Sequence, residues 1–328
     1  EKVDRIPVYT NMHQTDYFLE KAGFTKLDVL VDPEKELKTL TLSQEEFPSD
    51  IIRVPGDPLL PETARARREA KYGPNAPPPK RILEDKGNLK NLEMRDPEKS
   101  ASYRKYLEMG ERVKELFPSC AVCALVPGPW SNAAELRGPD ALIYDTADDP
   151  EFVHELLRYT SELSKMRAFA FARRGIDMVV LGDPSAGCSL ISPKVYEKFV
   201  FPYHKEVFSY LKERTNSFLG LHICGYTDPI MEYIKELDID WMEIDSPSSL
   251  ERIVEIMGGE KVIKGNIPTS LFAEGKPEDM EEAVKKCIEI GAPTRKYILA
   301  PGCRLPWNAK PENMRAFLEA LDKYGRVS

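Results

Sequence analysis

The chain has 328 residues, 42% hydrophobic and 30% charged, with a formal net charge of −8. That supplies apolar material for a sizeable core and withholds the basic footprint that nucleic acid needs as a main partner. No apolar run approaches the ~20 residues that span a bilayer, so no membrane partner is expected. The cysteines are too sparse for a disulfide scaffold, and their reduced usage, with no leader in the sequence, points to the cytoplasm.

Eight short apolar runs recur in chain order, each closed by a polar, Gly or Pro cluster. They are Arg5–Asn11, Asp50–Asp57, Ala121–Trp130, Asp177–Asp183, Phe218–Gly225, Trp241–Ser246, Val262–Ile267 and Tyr297–Cys303. They are continuous rather than alternating, as parallel strands covered on both faces should be. Amphipathic helical stretches separate them and carry their own punctuation. "DDPEFVHELLRYTSELSKMRAFAFARRG" has an early proline and acids in its first turn, "SPKVYEKFVFPYHKEV" opens on Ser-Pro, and "SPSSLERIVEIMGG" ends on glycines. Eight strands alternating with helices predict an α/β chain folded as one (β/α)8 TIM-type barrel over residues 1–328. An open doubly wound sheet is the alternative, but no GxGxxG follows the first strand. Residues 58–118, rich in charge and proline, interrupt the alternation between the second and third strands. They are read as a helical and loop insertion at the barrel mouth, a lid or a solvated excursion.

In such a barrel the working residues stand at the carboxyl ends of the strands. Those ends carry Asn11, Asp57, Trp130, Asp183, His222 with Cys224, Glu243 with Asp245, Asn266 and Cys303. His222 and Cys224 lie two apart on one strand, so both side chains face the same way. Imidazole and thiolate are preferred zinc ligands, although a buried His beside a small apolar Cys has the same spacing. Cys303 closes the eighth strand at the same rim, and the Glu243 carboxylate stands on an intervening strand. Three protein ligands with an open fourth position would describe a catalytic zinc. The CxxC of Cys120 and Cys123 enters a core strand rather than starting a helix, and Cys287 sits in an amphipathic helix; both are read as packing. His13 follows the first strand toward the mouth, while His154 and His204 lie in helices and are read as surface or packing residues.

At these residues the chain resembles the uroporphyrinogen decarboxylase superfamily, in "LHICGYTDPIMEYI", "KGNIPT", "ILAPGCRLPWNAKPENMRAFLEA", "VDRIPV", "GPW" and "GDPSAGCSLISPKVYEKFVFPYHKEV". The resemblance covers most of the chain and implies a distorted (β/α)8 barrel. The metal-free decarboxylases of this superfamily hold their tetrapyrrole with arginines of an N-terminal RQAGRYLPE-like motif. The matching stretch here, "YTNMHQTDYFLE", has neither arginine. The zinc-dependent, corrinoid-linked methyltransferases carry His-x-Cys and a later Cys, positions that match His222, Cys224 and Cys303. Some add a glutamate, for which Glu243 is the candidate.

That branch implies two cofactors, Zn2+ and a corrinoid carried by a partner protein docking over the barrel mouth. It leaves two directions. In one, a zinc-bound thiol of coenzyme M type takes the methyl group from cobalt; in the other, a methyl ether such as a methoxylated aromatic gives its methyl to cobalt. The second is favoured on sequence, because Tyr9, Trp130, Tyr226 and Trp307, with Asn11, offer a substrate-binding surface at the rim. Arg304, Arg53 and Lys264 suit a carboxylate or a sulfonate and do not decide. Asp183, Asp245 and Asn266 are the candidate catalytic residues, each with bracing of a loop or helix as its alternative. Tetrapyrrole decarboxylation and a non-catalytic binding barrel are the competing readings, and assembly as a homodimer is left open.

Overall fold

A computed structural model describes residues 4–57, 71, 80–94 and 96–326. Seven strands pair in parallel in chain order: β1 (Ile51–Arg53), β2 (Ala121–Pro127), β3 (Met178–Gly182), β4 (Phe218–Ile223), β5 (Trp241–Ile244), β6 (Val262–Ile267) and β7 (Tyr297–Pro301). The expected first strand, Arg5–Asn11, is not a regular strand. Pro7 has no N–H for a ladder, and the segment is reduced to a parallel bridge between Val8 and Leu299. It nevertheless lies between the last strand and the first. Tyr9 N–H donates to Leu299 O (3.0 Å), Leu299 N–H to Pro7 O (2.9 Å) and Asp50 N–H to Val8 O (2.9 Å). These bonds close the seven-stranded sheet into a barrel.

The continuous apolar runs follow from burial on both faces. Outward residues such as Ile52, Val122, Leu181, Leu221, Ile244 and Leu299 join the main core beneath the helices. Inward residues form a second cluster inside the barrel: Tyr9, Ile51, Cys123, Met178, Val180, Trp241, Ile298 and Ala300. The Trp241 ring fills the space beside Gly220, where an added Cβ would stand 2.2 Å from it. One step toward the carboxyl ends the inward positions turn polar. Gly182 pairs with His222, His222 with Glu243 and Glu243 with Lys264 across β3 to β6. The barrel therefore has an apolar floor and a charged layer directly above it.

The helices begin as their sequences announce. Asp149 caps Pro150–Ala172 by accepting from Phe152 N–H, and Ser249 caps Leu250–Met257 by accepting from Arg252 N–H. The stretch opening on Ser-Pro is not one uniform helix. Pro193–Val195 passes through a π-helical turn, Tyr196–Val200, into Phe201–Lys212, and Phe201 N–H bonds five residues back to Tyr196 O. Pro202, which has no N–H, stands at that junction. Much of the expected insertion, residues 58–70, 72–79 and 95, lies outside the described residues. Its last part, Ala101–Leu116, is a helix that buries Tyr103, Tyr106, Leu107 and Val113, and Tyr106 Oη donates to Leu125 O of β2 (3.2 Å). Among the described residues no helix is long and apolar enough to cross a membrane.

Candidate metal centre

β4 carries His222 inward, and the chain turns at Gly225, whose φ of 76° favours glycine. β7 ends at Pro301, and Cys303 follows across the barrel mouth. Gly302 permits that passage, since a Cβ there would stand 2.7 Å from Ser246 N. The three side chains converge. His222 Nε2 is 3.2 Å from Cys224 Sγ and 3.9 Å from Cys303 Sγ, and the two sulfurs are 3.7 Å apart.

These distances test whether the set suits zinc. Tetrahedral bonds of about 2.3 Å to sulfur and 2.1 Å to nitrogen put two sulfurs ~3.8 Å apart and a nitrogen ~3.6 Å from each sulfur. The sulfur pair matches, and the two nitrogen–sulfur distances straddle their value. The donor set, one imidazole and two thiols, is one that zinc prefers. The residues fit the ion.

Charge is arranged around the cluster. The Cys303 thiol is pushed down to about 4 by its hydrogen bond from Cys224, against burial and with help from His222. Cys224 is pushed up by the same contact and by burial. Burial opposes an imidazolium at His222, but Glu243 and Cys303 outweigh it and raise its pKa.

Glu243, expected as a further ligand, stands elsewhere. Its Oε1 accepts from Lys264 Nζ (2.7 Å) and its Oε2 from Arg53 Nη2 (2.9 Å). Oε2 lies 3.8 Å from His222 Nδ1, the ring nitrogen facing away from the thiols. That nitrogen is buried without a hydrogen-bond partner among the described residues. The carboxylate sits behind the imidazole, where it favours a proton on Nδ1 and leaves Nε2 free as a ligand. Burial works against its charge, but Lys264 and Arg53 hold it well below the usual carboxylate range.

The three candidate catalytic residues are all bound to backbone. Asp183 is fully buried. Its Oδ1 accepts from Ser131 N–H (2.6 Å), at the start of the helix Pro129–Arg137, and its Oδ2 pairs with His204 Nε2 (2.6 Å). His204 Nδ1 in turn meets Tyr196 Oη at 3.2 Å. His204, read from sequence as packing, is thus the partner of a rim carboxylate, and only its helical spacing facing β3 could have signalled it. Asp245 accepts from Gly225 N–H (2.8 Å) and Ser246 N–H (2.7 Å), fixing the turn after Cys224. Asn266 Nδ2 donates to Ser248 O (2.9 Å) and Asp245 O (3.3 Å), tying β6 to that same turn.

A cavity of about 370 Å³ opens in front of the cluster. His222, Cys224 and Cys303 line it together with Arg53 and Arg304, and Asn11 and His13 line it from the first segment. His13 Nε2 is 3.3 Å from Glu36 Oε1. Of the four candidate substrate aromatics, Tyr9 lies in the barrel floor with Lys264 Nζ 3.7 Å from its ring centroid, and Trp130 is buried in the helical core. Tyr226 is partly exposed. Trp307 carries Arg304 and Lys26 over its ring, at 5.1 and 5.2 Å. None of the four lines the cavity. The CxxC thiols part: Cys123 faces the barrel floor, while Cys120 Sγ donates to Ser49 O (3.3 Å).

A parallel barrel whose carboxyl rim brings one imidazole and two thiols together has the donor set that zinc prefers at the place where barrel enzymes keep their sites. Residues 1–324 match the uroporphyrinogen decarboxylase (URO-D) family, and the chain belongs to it. It is 25% identical over 332 residues to the methylcobamide:CoM methyltransferase MtbA of Methanosarcina mazei, covering 99% of this chain and 95% of that one. The MtbA of Methanosarcina acetivorans is 27% identical over 197 residues, 60% of this chain and 56% of its own length. A solved structure described as a methyltransferase from Methanosarcina mazei shares the fold, with a TM-score of 0.78 at 19% identity over 99% of this chain and 95% of that one.

Proposed function

We propose that this chain is a corrinoid-dependent methyltransferase that moves a methyl group from the cobalt of a separate corrinoid protein to a small thiol. The cluster of His222, Cys224 and Cys303 carries this reading, because its donor set and spacing suit zinc with one position open to the cavity. Zinc held there would lower the pKa of a bound thiol. The thiol would pass its proton to water, its sulfur would bond to the methyl carbon, and the cobalt–carbon bond would break with its electron pair remaining on cobalt of the methyl donor.

The chain's own residues prepare that event. Glu243 faces the far nitrogen of His222 and orients the ring. Asp245 and Asn266 hold the turn that carries Cys224. Asp183 and His204 hold the start of the helix Pro129–Arg137, whose Ser131 and Asn132 line the cavity. The thiol direction is favoured over O-demethylation for two reasons. The similar methyltransferases act, by their names, on CoM, and the aromatic surface that favoured a methoxylated ring lies outside the cavity. Tetrapyrrole decarboxylation lacks its paired N-terminal arginines here.

The test is zinc content and turnover on one preparation. About one zinc per chain is expected, with loss of methylcobalamin's cobalt–carbon absorbance on adding zinc-loaded protein and a thiol. A zinc-free protein, or one that turns over uroporphyrinogen and leaves methylcobalamin intact, would overturn the reading.

A further inference from the structure

Cys224 and Cys303 stand 79 residues apart in the chain, yet their sulfurs face one another at 3.7 Å. Both are free thiols, both are half-buried, and both line the cavity, so a small solute that enters it meets them. A disulfide bond is about 2.05 Å long, so the pair must close by about 1.7 Å to form one. Neither cysteine is held in a strand. Cys224 follows the end of β4 and precedes Gly225, and Cys303 lies beyond the end of β7 and follows Gly302. Rotation about the Cα–Cβ bonds therefore moves the sulfurs without moving the barrel.

The other four cysteines are placed differently. Cys120 Sγ donates to Ser49 O, and Cys123 faces the barrel floor. Cys287 is buried, with its Sγ 3.9 Å from Asn266 Oδ1. Cys188 is half-buried, and burial pushes its thiol up, away from the reactive thiolate. Cys224 and Cys303 differ in that each has a second sulfur beside it to resolve an oxidised partner.

We infer that Cys224 and Cys303 form a reversible redox switch, in which a peroxide joins the two sulfurs in a disulfide and empties the metal centre. This rests on the zinc reading above for what is released, and on the sulfur pair alone for the bond. One sulfur attacks an oxygen of the peroxide, the O–O bond breaks, and a sulfenic acid and one water result. The other sulfur attacks the sulfenic sulfur, the S–O bond breaks, and the oxygen leaves as a second water. Two thiols are oxidised to one disulfide, one hydrogen peroxide is reduced to two waters, and the thiol protons end in those waters. With a metal bound, the protons come from solvent. His222 is then the last of the three donors, because the ligand is a thiolate and not a disulfide sulfur. A dithiol restores the pair by exchange and is itself oxidised.

The experiment treats the zinc-loaded full chain, in oxygen-free buffer, with about one equivalent of hydrogen peroxide. Zinc release, read with a colorimetric chelator, should follow the loss of two of the six free thiols, about one zinc for each pair. Non-reducing peptide mapping should place the bridge between Cys224 and Cys303. Dithiothreitol with added zinc should restore both thiols and metal. Cys188→Ser should bridge as the wild type does, whereas Cys303→Ser should leave a sulfenic acid at Cys224 that dimedone traps. The wild-type map decides the pairing even where Cys303→Ser does not fold. A zinc-loaded chain whose Cys224 and Cys303 stay unbridged, bridge to other cysteines or pass to sulfinic acid overturns the switch and leaves the metal reading standing. A bridge between them in a chain that never takes up zinc overturns the metal reading, and the release with it, but keeps the sulfur pairing.

Discussion

The three cluster residues and the three groups behind them do different work, and substitutions should separate them. His222→Ala or Cys224→Ala removes a donor from a three-donor set, so most bound zinc and nearly all methyl transfer should vanish while circular dichroism stays that of the wild type. Glu243→Gln removes a charge from a buried network. Burial already pulls Lys264 below its usual range despite the carboxylate at 2.7 Å, so the intact network contributes little net stability. Its cost appears when one member goes, because Lys264 and Arg53 are then left as uncompensated cations. Urea unfolding should show a loss of about 3–5 kcal/mol, with zinc retained but bound more weakly as Nδ1 loses its carboxylate. The pH dependence follows in sign. A carboxylate whose folded pKa is depressed adds stability above its unfolded value near 4.5, and that contribution is lost as pH falls below it. The acid limb of the wild-type stability curve should therefore be steeper than that of Glu243→Gln.

Between elements, the contacts that hold the site come from far along the chain, and this decides what a sequence can reveal. The spacing of His222 and Cys224 is local and periodic, so their shared face could be read directly, and Cys303 could be placed at the same rim by counting strands. The caps and prolines likewise foretold where helices start. On sequence Glu243 is a ligand candidate because its strand brings it to the right layer. What excludes it from the cluster is its capture by Lys264 of β6 and Arg53 of β1, a choice made by tertiary packing. Asp183 is a candidate pocket acid for a similar reason, and its partner His204 lies 21 residues away beyond a π-helical turn that no periodicity announces. The aromatics were legible as residues near rims but not as side chains turned into a floor or a core. The Asp183–His204 contact makes its own prediction. Asp183→Asn keeps an acceptor for Ser131 N–H but loses the charge-assisted bond to His204, so stability should fall by about 1–3 kcal/mol in urea unfolding. Because the helix it anchors carries Ser131 and Asn132, the substrate KM should rise more than kcat falls, which a group acting directly in chemistry would reverse.

On the scale of the whole molecule, the cluster ties β4 to the segment after β7, two parts of the barrel that are not neighbours in the sheet. A metal there binds the folded chain and finds no equivalent site in the unfolded one, so its binding free energy is added to folding. Excess zinc at 100 times its dissociation constant should stabilise the protein by about 2.7 kcal/mol, and stripping with a chelator should remove that increment. The direction with pH is set by the thiols. Cys224 and Cys303 share a thiol proton between their sulfurs, and loading must displace it. Apparent zinc affinity should therefore rise with pH, and binding should release protons that calorimetry in buffers of different ionisation enthalpy can count. Cys224→Ala should show neither the zinc-dependent rise in thermal midpoint nor the proton release. Conversely, a wild-type midpoint indifferent to zinc and chelator would mean that the rim of the barrel is fixed by packing alone and that the three donors meet without holding a metal.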